Sequence, residues 1–130
     1  MQTCTRYTYA SISLPNIKHN IKLMRSRLKP ETKFLAVVKA NAYGHGMQAV
    51  ASCALECGAS YLGVAFAEEG IRLRKAGAAF SEEGVRVRTP GITAPILLLG
   101  ATDEDHMDDV IAYDLIPDVF TLETLRLLQE

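Results

Sequence analysis

Little in this sequence points to a charged, oxidised or membrane-borne partner. Across 130 residues the formal net charge is only −1, which gives no basis for binding nucleic acid or an anionic membrane surface. No apolar run is long enough to span a bilayer. The opening Met1-Gln2-Thr3-Cys4-Thr5-Arg6 lacks the apolar core of a signal peptide, so the expected compartment is the cytoplasm. Cysteines number three, too few and of the wrong parity for a disulfide framework. Cys53 and Cys57 share one face of an expected helix with no histidine at ligand spacing, and read as packing residues, not zinc ligands. No motif occurs twice, which excludes a repeat protein. The length allows one small domain with a modest core.

What is present is ordinary for a globular chain, with 48% hydrophobic and 22% charged residues. Residues 7–13 alternate apolar and polar and predict a half-exposed strand. Pro15 suits a first helical turn, after which Ile17, Ile21, Met24 and Leu28 recur at helical spacing until Pro30. The cations between them (Lys18, Lys22, Arg25, Arg27, Lys29) read as a solvated face, not an anion patch. Apolar runs at 34–39, 61–65, 95–99 and 116–120 predict strands, with helices over 47–55 and 68–75 and two more opening near Asp103 and at Thr121. Gly58 should close the second helix and Gly77 the third. The acidic cluster Asp103-Glu104-Asp105 with Asp108-Asp109 lacks the glycine and distal glutamate of a calcium loop and reads as a helix start. Residues 78–93 break the regularity and predict an exposed excursion or small hairpin, a partner-contact loop being the alternative. Alternation of strand and helix predicts an α/β fold with a parallel sheet. It amounts to a partial (β/α)8 TIM-type barrel of about four β/α units after an initial strand and helix.

One stretch organises the rest. The apolar run 34–38 delivers a single lysine, Lys39, and a small polar loop follows. The run reads as a strand buried on both faces. A lysine at its exit either snorkels into water or is a working amine partly withdrawn from it. Gly44 and Gly46 can adopt positive φ and let backbone approach a ligand, while Tyr43 and His45 add polar tips. This is the pattern of a functional βα loop at the carboxyl end of a strand.

The stretch Val37-Val38-Lys39-Ala40-Asn41-Ala42-Tyr43-Gly44-His45-Gly46 resembles the pyridoxal-phosphate attachment motif of the alanine racemases, unbroken over its length. The likeness continues upstream through Ala10-Ser11-Ile12-Ser13-Leu14, Ile17, Asn20 and Ile21. Downstream it runs through Ala54-Leu55-Glu56-Cys57-Gly58-Ala59-Ser60, Val64-Ala65-Phe66 and Ala94-Pro95-Ile96-Leu97-Leu98-Leu99-Gly100, leaving the segment near 80–90 as an apparent insertion. Members of that family are much longer, so the resemblance makes residues 1–130 the amino-terminal part of a racemase β/α barrel domain. On that resemblance, the carboxyl half of the barrel and the β domain are expected to be absent from these residues.

The resemblance implies a pyridoxal-phosphate-dependent amino-acid racemase, an isomerase interconverting L-alanine and D-alanine for peptidoglycan precursors, acting as a homodimer. Lys39 would hold pyridoxal 5'-phosphate as an imine and, once freed, serve as one of two bases. Tyr43 would donate to the cofactor phosphate, with Val37, Leu97 and Leu99 lining the pocket. His45 is expected to support the loop. The second base belongs to a carboxyl-terminal domain of the partner subunit, so the chain alone is expected to be poorly active or inactive. The alternatives are another amino-acid racemase or decarboxylase of the same fold type, or a non-catalytic module for pyridoxal-phosphate binding and homeostasis. No metal is expected.

Overall fold

The computed structural model describes residues 9–75, 79–80, 86–87 and 91–129. Residues 9–13 form no strand, contrary to the expectation from their alternation, and Tyr7 and Thr8 lie outside the described residues. Alternation alone does not make a strand; a partner edge must accept its backbone bonds.

Helix α1 (Leu14–Arg25) opens on Ser13, whose hydroxyl accepts from Asn16 N, with Pro15 in the first turn. The helix ends at Arg25, before the expected Leu28. Ser26 turns its hydroxyl onto Leu23 O, so the stop is made locally and Pro30 lies beyond it. Ile21 and Ile17 pack against Phe34, Ala54 and Cys57. The two cysteines are buried under this helix, as packing residues should be.

Strands β1 (Leu35–Val37), β2 (Tyr61–Val64), β5 (Ile96–Ala101) and β6 (Leu115–Asp118) form one parallel sheet in the order β1-β2-β5-β6. The crossovers carry α3 (Met47–Glu56), α4 (Ala67–Lys75) and α5 (Met107–Ala112), the last entered through a 3-10 turn at Glu104–His106. Gly58 has φ +92 and follows α3, the left-handed stop its position predicts. Thr121 caps α6 (Leu122–Leu127) by accepting from Thr124 N at 3.1 Å. Between α4 and β5, β3 (Ala79–Phe80) pairs antiparallel with β4 (Arg86–Val87), so the irregular segment does contain a small two-stranded ladder. Gly77 lies outside the described residues.

The sheet buries one face. Leu62, Val64, Ile96, Leu98 and Leu115 meet Val38, Ala51, Leu73 and Val110 in the core. The opposite face carries Leu35 and Val37 on β1, Gly63 on β2, and Leu97 and Leu99 on β5, none of the leucines or the valine fully buried. β1 is therefore not buried on both faces as its composition suggested; Val37 is 37% exposed. An apolar run shows what a strand can tolerate burying, while the layers actually present decide what it does bury. β6 is an edge strand, and Pro117, which has no N–H, falls where the β5–β6 register is interrupted. Among the described residues no helix is long and apolar enough to cross a membrane.

Candidate active site

Because the four strands are parallel, their carboxyl ends form one rim, the rim on which β/α folds place their chemistry. Lys39 stands there, half-buried, two residues beyond β1. The last backbone rung between β1 and β2 is Val38 N to Gly63 O at 2.8 Å. Immediately afterwards the chain does something the sequence did not disclose.

Segment α2 (Lys39–Tyr43) is a turn of left-handed helix. Ala40 (φ 52, ψ 47), Asn41 (φ 55, ψ 42) and Ala42 (φ 52, ψ 47) all lie in the left-handed region, followed by Tyr43 at φ 54. For L-residues with a Cβ this conformation costs roughly 1–2 kcal/mol each, and it is seldom held by consecutive residues. Gly44 and Gly46, which were expected to take positive φ, do so at 88 and 93 and lead the chain out.

Hydrogen bonds hold the turn. Ala42 N donates to Val38 O at 2.8 Å and Gly46 N to Asn41 O at 3.0 Å. Asn41 Oδ1 accepts from Met47 N at 2.9 Å, acting across the loop as a cap for α3, whose own N-cap, Gly46, has no side chain to offer. His45 Nδ1 lies 2.9 Å from Ala42 O; a carbonyl can only accept, so Nδ1 is the donor and the ring is tied to its own loop. Ala42 itself is buried in the core beside Met47 and Ala51. Glu69 contributes from α4, its Oε1 accepting from Ala40 N at 2.7 Å and its Oε2 from Ala65 N at 2.8 Å.

On the sheet face away from the core, the strands present an apolar row. Val37 and Gly63 are register partners, as are Gly63 and Leu97. A Cβ at Gly63 would stand 3.3 Å from Leu99 Cδ1 and 3.5 Å from Leu35 and Val37 side-chain carbons, so the glycine keeps a hollow in this row. The structure thus brings Val37, Leu97 and Leu99 onto one face at the rim where Lys39 emerges. Tyr43 ends the left-handed turn and is 62% exposed. A separate concavity of about 110 Å³ on the same rim is lined by Phe66, Ala67, Glu68, Ala101, Thr102, Asp103 and His106, and includes neither Lys39 nor Tyr43.

Three features of this site were not read from the sequence: the handedness of the turn, the hollow at Gly63, and the buried carboxylate of Glu69. Glu69 follows another glutamate in a first helical turn, where acidic residues complement the dipole whether or not they touch anything else. The small residues Ala67 and Gly70 flanking it are the one hint that this side of the helix packs closely.

A parallel β/α sheet with a half-buried lysine and a strained turn on its carboxyl rim defines a segment of a β/α-barrel domain with its site at the usual end. The family described as "Alanine racemase, N-terminal domain" matches residues 12–130, and the chain belongs to that family. Alanine racemase 1 of Oceanobacillus iheyensis is 35% identical over 98% of this chain and 30% of its own length. The alanine racemase of Ligilactobacillus salivarius is 43% identical over 96% of this chain and 31% of its own. Among solved structures, alanine racemase of Clostridium difficile 630 superposes with a TM-score of 0.81 at 34% identity, covering 97% of this chain and 30% of that one. The enzyme from E. faecalis does so with a TM-score of 0.78 at 34% identity, over 92% and 28%. The chain thus spans about 30% of the length of the relatives it matches.

Proposed function

We propose that residues 1–130 form the opening β/α units of an alanine racemase barrel domain and carry its cofactor lysine. The cofactor is pyridoxal 5'-phosphate, the substrate alanine, and the active assembly includes a second subunit. The observation that carries this reading is Lys39 leaving β1 on the carboxyl rim beside the hollow that Gly63 leaves open. The residues present suit the cofactor: a half-buried primary amine for its aldehyde, an apolar floor for its ring, and an exposed phenol for its phosphate.

When bound, the cofactor supplies the electron sink that makes the α-proton of an amino acid removable. The remaining work belongs to the protein. Val37, Leu97 and Leu99 shield one side from water and orient the ring. Tyr43 donates to the phosphate from the end of the turn. Lys39, half-buried at the rim, would hold the aldehyde carbon and, once displaced by the incoming amino group, would move the proton on one face of the substrate α-carbon. His45 keeps the turn in place. Racemisation also needs a proton donor on the opposite face, which we assign to the rest of the assembly. The 130 residues alone are expected to bind cofactor and to racemise alanine far more slowly than the intact relatives.

The test is to incubate the chain with pyridoxal phosphate, reduce with borohydride and map the modified peptide by mass spectrometry. A stoichiometric adduct confined to Lys39 supports the reading. Adducts scattered over Lys18, Lys22, Lys29 and Lys33, with Lys39 unmodified, overturn it.

A further inference from the structure

We infer that Glu69 is the positioning residue for Lys39: its carboxylate fastens the Lys39–Ala40 peptide to the end of β2 and so fixes where the amine stands. The inference rests on the proposed role of Lys39 and adds to it a residue that touches neither cofactor nor substrate.

The geometry is that of one extra rung. Backbone pairing between β1 and β2 ends with Val38 N on Gly63 O. Beyond that rung the chain winds left-handed, and Ala40 N–H heads the turn, where no acceptor four residues back within the turn can reach it. On the neighbouring strand, Ala65 N–H has likewise passed the last partner on β1. Glu69 meets both, one oxygen to each, at 2.7 and 2.8 Å, across 29 residues of sequence to Ala40. Among the described residues, Glu69 is the one polar or charged residue in the buried set, 9% exposed. A carboxylate has an oxygen for each of the two donors, one in the turn and one at the end of β2, and meets both with charge-assisted bonds.

The peptide so held adjoins the lysine Cα. Its plane sets the direction of the Lys39 side chain, and the left-handed residues that follow are the ones least able to hold it unaided. Glu68, the preceding residue, makes the contrast: it is exposed and faces His106 Nε2 at 3.3 Å. Adjacent glutamates on one helix therefore serve different elements, and only Glu69 reaches the lysine turn.

The experiment compares cofactor labelling of the full chain with that of Glu69→Gln, Glu69→Asp and, as control, Glu68→Gln. Each is treated with pyridoxal phosphate and borohydride, and adduct at Lys39 is measured relative to adduct at surface lysines in the same sample. Glutamine keeps the length but places a donor against one of the two N–H groups. Lys39 labelling relative to the surface lysines should fall about tenfold in Glu69→Gln. It should recover in part in Glu69→Asp, which keeps the charge, and stay unchanged in Glu68→Gln. Equal Lys39 labelling in the parent chain and Glu69→Gln overturns the positioning role. Absence of Lys39 labelling in the parent chain overturns instead the cofactor reading on which it rests. Should Glu69→Gln fail to fold, amide exchange in the parent chain decides: protection at both Ala40 and Ala65 supports the rung, and free exchange at either refutes it.

Discussion

The two rims of the sheet are fastened by opposite charges from the same helix. α4 runs antiparallel to the strands, so its first turn lies at their carboxyl ends and its last at their amino ends. Near its start, Glu69 accepts two backbone N–H groups at the carboxyl rim. Near its end, Arg74 donates at the amino rim to Ile92 O, Ala94 O, Tyr113 O and Asp114 O at 2.6–2.9 Å. The groups left to α4 are N–H groups at the carboxyl rim and carbonyls at the amino rim, and both charges also complement the helix dipole. The difference lies in what is fastened. Among the described residues, the amino rim contains two isolated left-handed residues, Gly58 at φ 92 and Asp114 at φ 51, both of types that tolerate it. The carboxyl rim contains four in succession, none of them glycine, directly after the lysine. One rim is secured with more bonds and little strain, the other with fewer bonds and much strain. That is the division between stability and function in folds of this kind.

The contrast breaks most sharply at Arg74. Its side chain is only 12% exposed, and Arg74→Leu would leave four carbonyls without their donor. A loss of about 3–5 kcal/mol is expected, read as a lowered urea midpoint. Glu69→Gln, by comparison, should cost about 1–3 kcal/mol and be felt chiefly at Lys39. If Arg74→Leu left stability intact, the amino rim would not be the structural one.

A smaller effect sharpens the strain itself. Ala40 is exposed, and Ala40→Gly relieves one left-handed residue while giving the unfolded chain more freedom. The two terms nearly offset, so stability should stay level or rise by about 1 kcal/mol, where the same change inside α1 should lower it by about as much. A drop at Ala40 equal to that in α1 would mean that the turn is not left-handed in solution.

The smallest expected effect is at the carboxyl rim outside the lysine turn. Asp103 bonds to His106 Nδ1, and this bond lifts the imidazole above its ordinary range and holds the carboxyl below its own; the nearby charge on Glu68 also raises His106. The pair's contribution is fully present between about pH 4 and 6.5. It is lost as pH rises through the raised His106 value and as pH falls through the lowered Asp103 value. Both groups are exposed, so the effect on stability is slight. An NMR titration should place His106 above an ordinary histidine, and Asp103→Asn should bring it back down; no change on that substitution would dismiss the pairing.

Much of this molecule was legible in its sequence. The apolar runs, the glycine after α3, the threonine before α6 and the strand–helix alternation all act over a few residues, and they appear where they were expected. The place of Lys39 at the exit of β1 and the positive φ of Gly44 and Gly46 were legible for the same reason, since the apolar run and the loop are continuous. The limits are equally physical. β1 is uncovered on one face because burial depends on which layers are present. Residues 9–13 form no strand because pairing needs an edge. The turn after Lys39 is left-handed although alanine, asparagine and tyrosine do not prefer it. It is held by Glu69 from 29 residues away, by Asn41 on the head of α3, and by Ala42 in the core. Local chemistry determined which residues could act here. Only the tertiary structure decided how the lysine is held, because a conformation that costs energy locally must be stabilised by contacts distant in the chain.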